Sequence, residues 1–298
     1  MTGITSSFSG LLAVFIAATL WGTTGTAAAF APEVSAMAIG AVAMGGGGFL
    51  QALFAFRQIT VYRSNLACHR RYLIVGALAV AVYPLAFYGS MRLAGITIGT
   101  VVTIGSAPLL SALLEFIFDK QKLSLRWLVG AELGIIGMAL LSASEQHQDS
   151  GNHTLLGLGL GLIAGFTYAL YSWTARKLML QHIGAKAAMG ATFGLGAVFL
   201  LPVLLWTGAP LLASWNNFAV GLYMATVPMF LGYLCFGYGL ARINASTAIT
   251  ITLFEPVVAA LLAVFLINER LTSQGWLGIA LILLCLVFIT LPTKRHID

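Results

Sequence analysis

The sequence predicts an all-α membrane protein of ten transmembrane helices, built as two inverted five-helix repeats. Three observations carry this expectation: a composition unsuited to water, ten apolar runs of bilayer length, and a pattern that recurs in both halves. The 298 residues are 59% hydrophobic and only 8% Asp, Glu, Lys and Arg. Soluble domains carry about 25% charged residues, and in water this chain would expose large apolar patches and aggregate. The net charge of +6 is spread over short loops between apolar runs. That distribution reads as membrane topology and not as a nucleic-acid surface.

A bilayer core of about 30 Å needs about 20 residues of helix. The first run, 8–30, stays uncharged up to Glu33, and residues 1–10 hold no Lys or Arg. It is therefore expected to be a retained helix, not a signal peptide. The second, 34–56, ends at Arg57; the third, 72–91, lies between Arg71 and Arg92; the fourth, 96–118, stops before Asp119 and Lys120. The fifth, 127–144, follows Arg126 and is the least uniform because it contains Glu132. The sixth, 154–175, ends at Arg176 and includes "GLGLGLIAG" (157–165), where glycines inside an apolar helix imply close packing rather than a phosphate loop. Residues 187–241 contain no Asp, Glu, Lys or Arg, and the turn "TGAPLLASWNN" (207–217) divides them into spans 185–206 and 218–241. The ninth, 246–267, and the tenth, 273–291, complete the set. Cys68, Cys235 and Cys285 have neither metal-ligand nor disulfide spacing.

With the N-terminus inside, the inner segments hold 13 Lys and Arg residues and the outer ones hold only Arg92 and Arg270. Both termini are then cytoplasmic, in the inner (plasma) membrane. The repeat emerges on comparing "APLLSALLEFIFDKQKLSLRWLVGAEL" (107–133) with "EPVVAALLAVFLINERLTSQGWLGIAL" (255–281). Without gaps, Pro108 matches Pro256, Gly130 matches Gly278, and Lys122 and Ser124 face Arg270 and Thr272. "YGSMR" (88–92) and "YGLAR" (238–242) share Tyr-Gly-x-x-Arg. The expected halves are 1–148 and 149–298, and an odd number of spans in each makes them inverted. Such repeats characterise secondary transporters, whose site lies near the midplane between the halves.

Each half ends in a Pro-containing helix, a short turn and a Gly-containing helix. This resembles the drug/metabolite transporter superfamily in its EamA-like branch. The second half keeps the pattern, with Asn268 where Gly is commoner before Glu269, and the first half carries Gln121 where the Glu would be. "ATLWGTTG" (18–25) resembles the Trp-Gly segment of the family's first helix. Within the branch the sequence is most similar to the YddG-type aromatic amino acid exporters. The resemblance implies a cavity between helices 1, 3, 4, 6, 8 and 9, and an exporter without cofactor or metal.

The residues point to the same helices. Pro84, Pro108, Pro228 and Pro256 lie inside spans and are candidate hinges, because a mid-membrane proline frees a carbonyl that protein or a wet cavity must satisfy. Tyr72, Trp127, Trp173, Trp206, Trp215 and Trp276 fall near span ends, where an interfacial belt is the default. Trp21, Tyr83, Tyr168, Phe230 and Tyr233 lie deeper and are candidate substrate contacts, with the hydroxyls of Thr24, Thr103, Ser106 and Thr252. No Lys or Arg lies deep in a span, which argues against phosphorylated substrates.

The sharpest feature is "FEPVV" (254–258): Glu255 is the single charge among the 26 residues between Arg242 and Glu269. Ala107 holds its place in the other half, so the fold does not require it. A carboxylate in lipid costs about 2.5–3.5 kcal/mol, so Glu255 should face a wet cavity or the bundle interior. There it either holds a substrate ammonium or titrates in coupling, or it bonds a neighbouring hydroxyl and fixes a kinked helix. The expected activity is export of amino acids, aromatic ones and methionine foremost, by alternating access; the alternative is another small metabolite or a cationic drug. An intramembrane enzyme lacks a placeable nucleophile and base, and a channel lacks a ring-forming polar filter.

Overall fold

A computed structural model describes residues 2–144, 153–266 and 270–290, without the side chains of residues 2–6, 96 and 97. Asn268, Glu269, Lys294, Arg295 and residues 146–152 lie outside the described residues. Ten helices are long and apolar enough to cross a membrane: α1 (Ser7–Ala29), α2 (Ala36–Val61), α3 (Arg70–Ala94), α4 (Ile98–Asp119), α5 (Leu125–Ser144), α6 (Thr154–Leu180), α7 (Ala185–Thr207), α8 (Trp215–Leu240), α9 (Ala245–Leu266) and α10 (Ser273–Thr290). Each expected span has its helix, and the break at 208–214 divides α7 from α8 as the turn signal required.

Four of the membrane helices begin where a side chain satisfies a free N–H group. Ser35 accepts from Ala38 N at 3.2 Å to start α2, and Ser214 from Asn217 N at 3.1 Å to start α8. The Ser/Thr residues paired across the two halves have the same role. Ser124 accepts from Trp127 N at 3.1 Å ahead of α5, and Thr272 from Gly275 N at 3.4 Å ahead of α10. A hydroxyl after a basic turn residue is thus a helix start, which explains why the pattern recurs.

Lipid supplies no hydrophobic drive between helices, so close approach has to come from small residues. On α6, Gly157, Gly161 and Gly165 form one buried stripe at four-residue spacing. A Cβ on Gly157 would lie 2.6 Å from Ala94 N of α3, and one on Gly165 would lie 2.7 Å from Thr103 O of α4. Gly137 and Gly278 do the same for α5 and α10, where either Cβ would press on the other glycine's carbonyl. The resulting partners are α3 with α6, α5 with α10, α2 with α7, α4 with α6, and α1 with both α8 and α9.

Two expectations change. Span six runs on to Leu180, so Arg176 and Lys177 belong to its last turns. Charged side chains do not stop a helix when carboxylates and carbonyls at its end receive them. Trp206, Trp215 and Trp276 are exposed at helix ends as belt residues should be, but Trp127 and Trp173 are buried. Trp173 donates to Asp119 Oδ2 at 3.1 Å, and this half-buried anion draws it inward.

Candidate functional site

Four membrane helices depart from regular geometry, and all four departures meet in one place. α1 breaks at Thr23, between Gly22 and Thr24. α2 widens into a π turn over Val42–Gly46, which runs into the glycine run "MGGGG" (44–48), and α8 does so over Ala225–Leu231, around Pro228. α9 breaks at Thr252 and Leu253, immediately before Phe254, Glu255 and Pro256. Irregular backbone at membrane depth survives only where protein or a water-filled cavity satisfies it, and π turns mark functional sites with unusual frequency. Of the candidate hinges, Pro228 and Pro256 lie at such departures, while Pro84 and Pro108 sit in helices that continue unbroken.

The freed carbonyls find donors. Trp21 Nε1 donates to Pro228 O at 2.8 Å, and Gln51 Nε2 reaches Met229 O at 3.5 Å. Gly232 makes the first bond possible, since a Cβ there would stand 2.6 Å from Trp21 Nε1. In α9, Pro256 offers no N–H to the carbonyl of Thr252, and Glu255 N takes it at 2.9 Å instead. That tightened turn aims the carboxylate of Glu255 sideways, near the middle of α9.

It opens into a cavity of about 600 Å³, part of it open solvent. The lining comes from Trp21 and Thr24 (α1), Gly40, Ala43 and Met44 (α2), Tyr83, Pro84, Phe87 and Tyr88 (α3), Ile104 (α4), Tyr168 and Tyr171 (α6), Met224, Met229 and Tyr233 (α8) and Glu255 (α9). These positions fall at the helix middles or in the half of the bundle away from the start of α1. Tyr168, Tyr171 and Tyr233 make the floor. Tyr171 and Tyr233 share a hydroxyl–hydroxyl bond of 2.7 Å, and Tyr168 bonds Thr252 at 2.9 Å. Trp21 packs against this group with ring centroids 4.7 Å from Tyr233 and 6.5 Å from Tyr168.

Six of the ten candidate contact residues therefore come together: Trp21, Thr24, Tyr83, Tyr168, Tyr233 and Glu255. The other four lie outside the lining, each for a visible reason. Thr252 is buried behind Tyr168 and supports its hydroxyl. Ser106 donates to Thr103 O at 3.4 Å, and both sit against Gly165 at the α4–α6 crossing. Phe230 packs edge-to-face on Phe54 at 5.7 Å, and Phe54 is 52% exposed on the lipid side. Sequence reading misses Phe87, Tyr88, Tyr171, the three methionines and the whole contribution of α2. Tyr171 is within reach, one helical turn from Tyr168 on the same face. α2 carries no proline, and its mid-span aromatic, Phe49, is exposed on the outside of the bundle, so only its four consecutive glycines could have marked it.

Among the described residues, Glu255 is the only charged one in the lining. Its carboxylate receives no hydrogen bond from them and pairs with no cation, and the hydroxyls of Tyr83 and Tyr88 are likewise free. The reading in which Glu255 fixes the kink by bonding a neighbouring hydroxyl has no counterpart in this geometry. An unpaired carboxylate ringed by aromatic faces is chemically suited to an ammonium group, which gains a charge-assisted bond and cation–π contact together. The thioethers of Met44, Met224 and Met229 add an adaptable apolar wall.

Known proteins agree with this architecture. The chain is 33% identical over 290 residues to the uncharacterized transporter YwfM of Bacillus subtilis (strain 168), a match covering 96% of this chain and 95% of that one. It is 28% identical over 222 residues to the threonine/homoserine exporter RhtA of Salmonella typhimurium (strain SL1344), covering 72% of each. A crystal structure of another protein shares the fold with a TM-score of 0.78 at 18% identity, over 97% of this chain and 99% of that one. The EamA-like transporter family model matches twice, over residues 8–143 and 155–291. Ten apolar helices and two family matches that together span most of the sequence make this multi-pass membrane protein a member of the EamA-like transporter family.

Proposed function

We propose that the protein is a secondary active transporter that exports amino acids across the inner membrane by alternating access, with aromatic amino acids and methionine as preferred substrates. The observation that carries this reading is the unpaired Glu255 carboxylate in a cavity of tyrosines and methionines. Glu255 holds the substrate ammonium, Tyr83 and Tyr88 offer hydroxyls to its carboxylate, and the side chain lies among Trp21, Met44 and Met229. The two halves, 1–148 and 149–298, are inverted repeats that rock around this site. Helix packing supports them: exchanging each helix with the one five places on turns α1–α8 into α6–α3, turns α4–α6 into α9–α1, and returns α2–α7 and α5–α10 to themselves. With both termini cytoplasmic the cavity faces outward. Amino-acid export by the relative RhtA supports the substrate class, and the aromatic lining supports a preference of the YddG type over a hydroxylated side chain.

A second reading, export of an organic cation, is favoured by the lack of Lys and Arg among the described lining residues. Counterflow into proteoliposomes separates the two. The panel contains phenylalanine, tryptophan, methionine, threonine, spermidine, a quaternary ammonium dye, a nucleoside and glucose 6-phosphate. Exchange of phenylalanine or methionine, with less for threonine, is the expected result. Exchange of glucose 6-phosphate with none for any amino acid would remove the assignment.

A further inference from the structure

At the end of the bundle opposite the cavity mouth, a buried polar seam joins elements that the substrate site leaves unused. Glu115, in the last turns of α4, is 1% exposed. Its Oε1 accepts from Ala245 N at 2.8 Å and its Oε2 from Ser246 Oγ at 2.5 Å, so both oxygens are spent on the start of α9. Asn244, which precedes α9 in the capping position, makes no capping bond of its own. The first turn of α9 is thus held by a side chain from another helix. Beside it, Arg176 of α6 donates to the carbonyls of Leu240 and Ile243 and, at 3.1 Å, to Asn244 Oδ1, which closes the end of α8. Asp119 of α4 pairs with Lys177 and accepts from Trp173, both on α6.

These bonds tie α4 to α6 and α9 and tie α6 to the end of α8, and each lies beyond the tyrosine floor of the cavity. Among the described residues, the other end of the bundle has no equivalent latch. In the register that pairs Ala107 with Glu255, Ala263 takes the place of Glu115, and an alanine side chain cannot accept a hydrogen bond. Two gates related by the repeat therefore differ in chemistry: one is sealed by charge-assisted bonds, while the bonds between described residues at the other are neutral, as between Ser90 and Gly157 O and between Thr23 and Tyr223.

We propose that Glu115 is the latch of the inner gate and that its bonds to Ala245 and Ser246 hold the empty carrier with the cavity open outward. The inference rests on the rocking of two halves proposed above. To open inward the α4 end must leave the α9 start, which exposes an N-terminal N–H, a serine hydroxyl and a buried carboxylate together. Substrate binding at Glu255 has leverage on this seam, because the break at Thr252 and Leu253 leaves only the short segment Ala245–Ile251 between the two sites. Glu115 is a positioning residue: it touches no substrate, and it sets which face of the carrier is populated.

Spin-label distances on the full chain test this without any transport assay. One pair joins Lys122 to Ala241 at the inner end and the other joins Arg92 to Arg270 at the outer end. All four side chains are exposed, and the pairs correspond under the repeat to within one residue. In the empty wild type the inner pair should give one short distance. Glu115→Ala should raise the inward-open population about tenfold, as the loss of charge-assisted bonds from one of two states implies. The inner distance then lengthens while the outer one shortens. Glu115→Gln, which keeps the shape and one good acceptor, should give a smaller shift of the same sign and covers the case in which the alanine variant does not fold. Unchanged distances in both variants overturn the latch, and so does inner broadening with a fixed outer pair, the mark of a merely structural cap. Wild type with millimolar phenylalanine or methionine is the control. Reciprocal change there but not in the variants sinks the latch alone, and its absence everywhere sinks the rocking itself.

Discussion

Trp21 and Glu255 show how single side chains in this bundle serve backbone and cavity together. The indole of Trp21 spends its N–H on Pro228 O, so what it offers the cavity is its aromatic surface. Gly232→Ala would push the indole off that carbonyl and leave a buried N–H and a buried acceptor unpaired. A loss of about 1–3 kcal/mol is expected, read as a lower melting temperature in detergent, with transport reduced in parallel. An unaltered melting temperature would show that the Trp21 bond is dispensable. Glu255→Gln separates the two effects in the opposite direction. It preserves volume and removes the charge from a group that bonds to nothing in the protein, so stability and expression should stay near wild type. Counterflow should fall by about tenfold or more, the scale of one charge-assisted bond to an ammonium. A variant that carries substrate at the wild-type rate with the wild-type pH profile would remove Glu255 from the site.

Helices, in contrast to side chains, are mostly legible in the sequence alone. Length, charge boundaries and turn residues suffice for ten spans, because hydropathy reports burial in lipid directly. The stripe Gly157, Gly161 and Gly165 is also readable, since four-residue spacing puts small residues on one helix face. The π turns of α2 and α8 are not, because hydropathy carries no information on whether a carbonyl bonds four or five residues ahead. This is why Met44 and Met229 go unnoticed, and why Phe230, one residue from Met229, reads as a cavity residue when it packs toward lipid. Depth identifies the deep aromatics but cannot rotate a helix, and rotation is what divides Tyr233 from Phe230. The stripe gives a controlled experiment at this scale. A side chain at Gly161 would meet Ser90 and Val102, whereas Gly159 has nothing within 4 Å. Gly161→Leu should destabilise the protein by about 1–3 kcal/mol through overpacking, and Gly159→Leu should leave the melting temperature unchanged. Equal effects would show that helix propensity, not α6 packing against α3 and α4, governs the site.

The whole molecule adds direction, which no single helix can carry. Ten helices put the start of α1 and the end of α10 at one end of the bundle, and the cavity lies in the half away from them. Which side that is depends on the 13-to-2 division of Lys and Arg. The bias is concentrated where it counts: Arg57, Arg63, Arg70 and Arg71 cluster around the α2–α3 connection, and no Asp or Glu occurs between Glu33 and Glu115. Holding such a segment on the cytoplasmic side follows from the positive-inside rule. Reporter fusions at the C-terminus and within residues 60–70 should then read cytoplasmic, and fusions within 146–152 periplasmic. The same orientation makes an independent demand on the cavity. In a cysteine-less background, Ala43→Cys on the cavity wall should react with an impermeant maleimide added outside intact cells, and phenylalanine or methionine should protect it. Ala55→Cys, buried at 2% on the same helix but away from the lining, should stay unlabelled. Labelling only after the membrane is opened, together with a periplasmic C-terminus, would invert the carrier, and the resting cavity would then face the cytoplasm, as an importer's exit would.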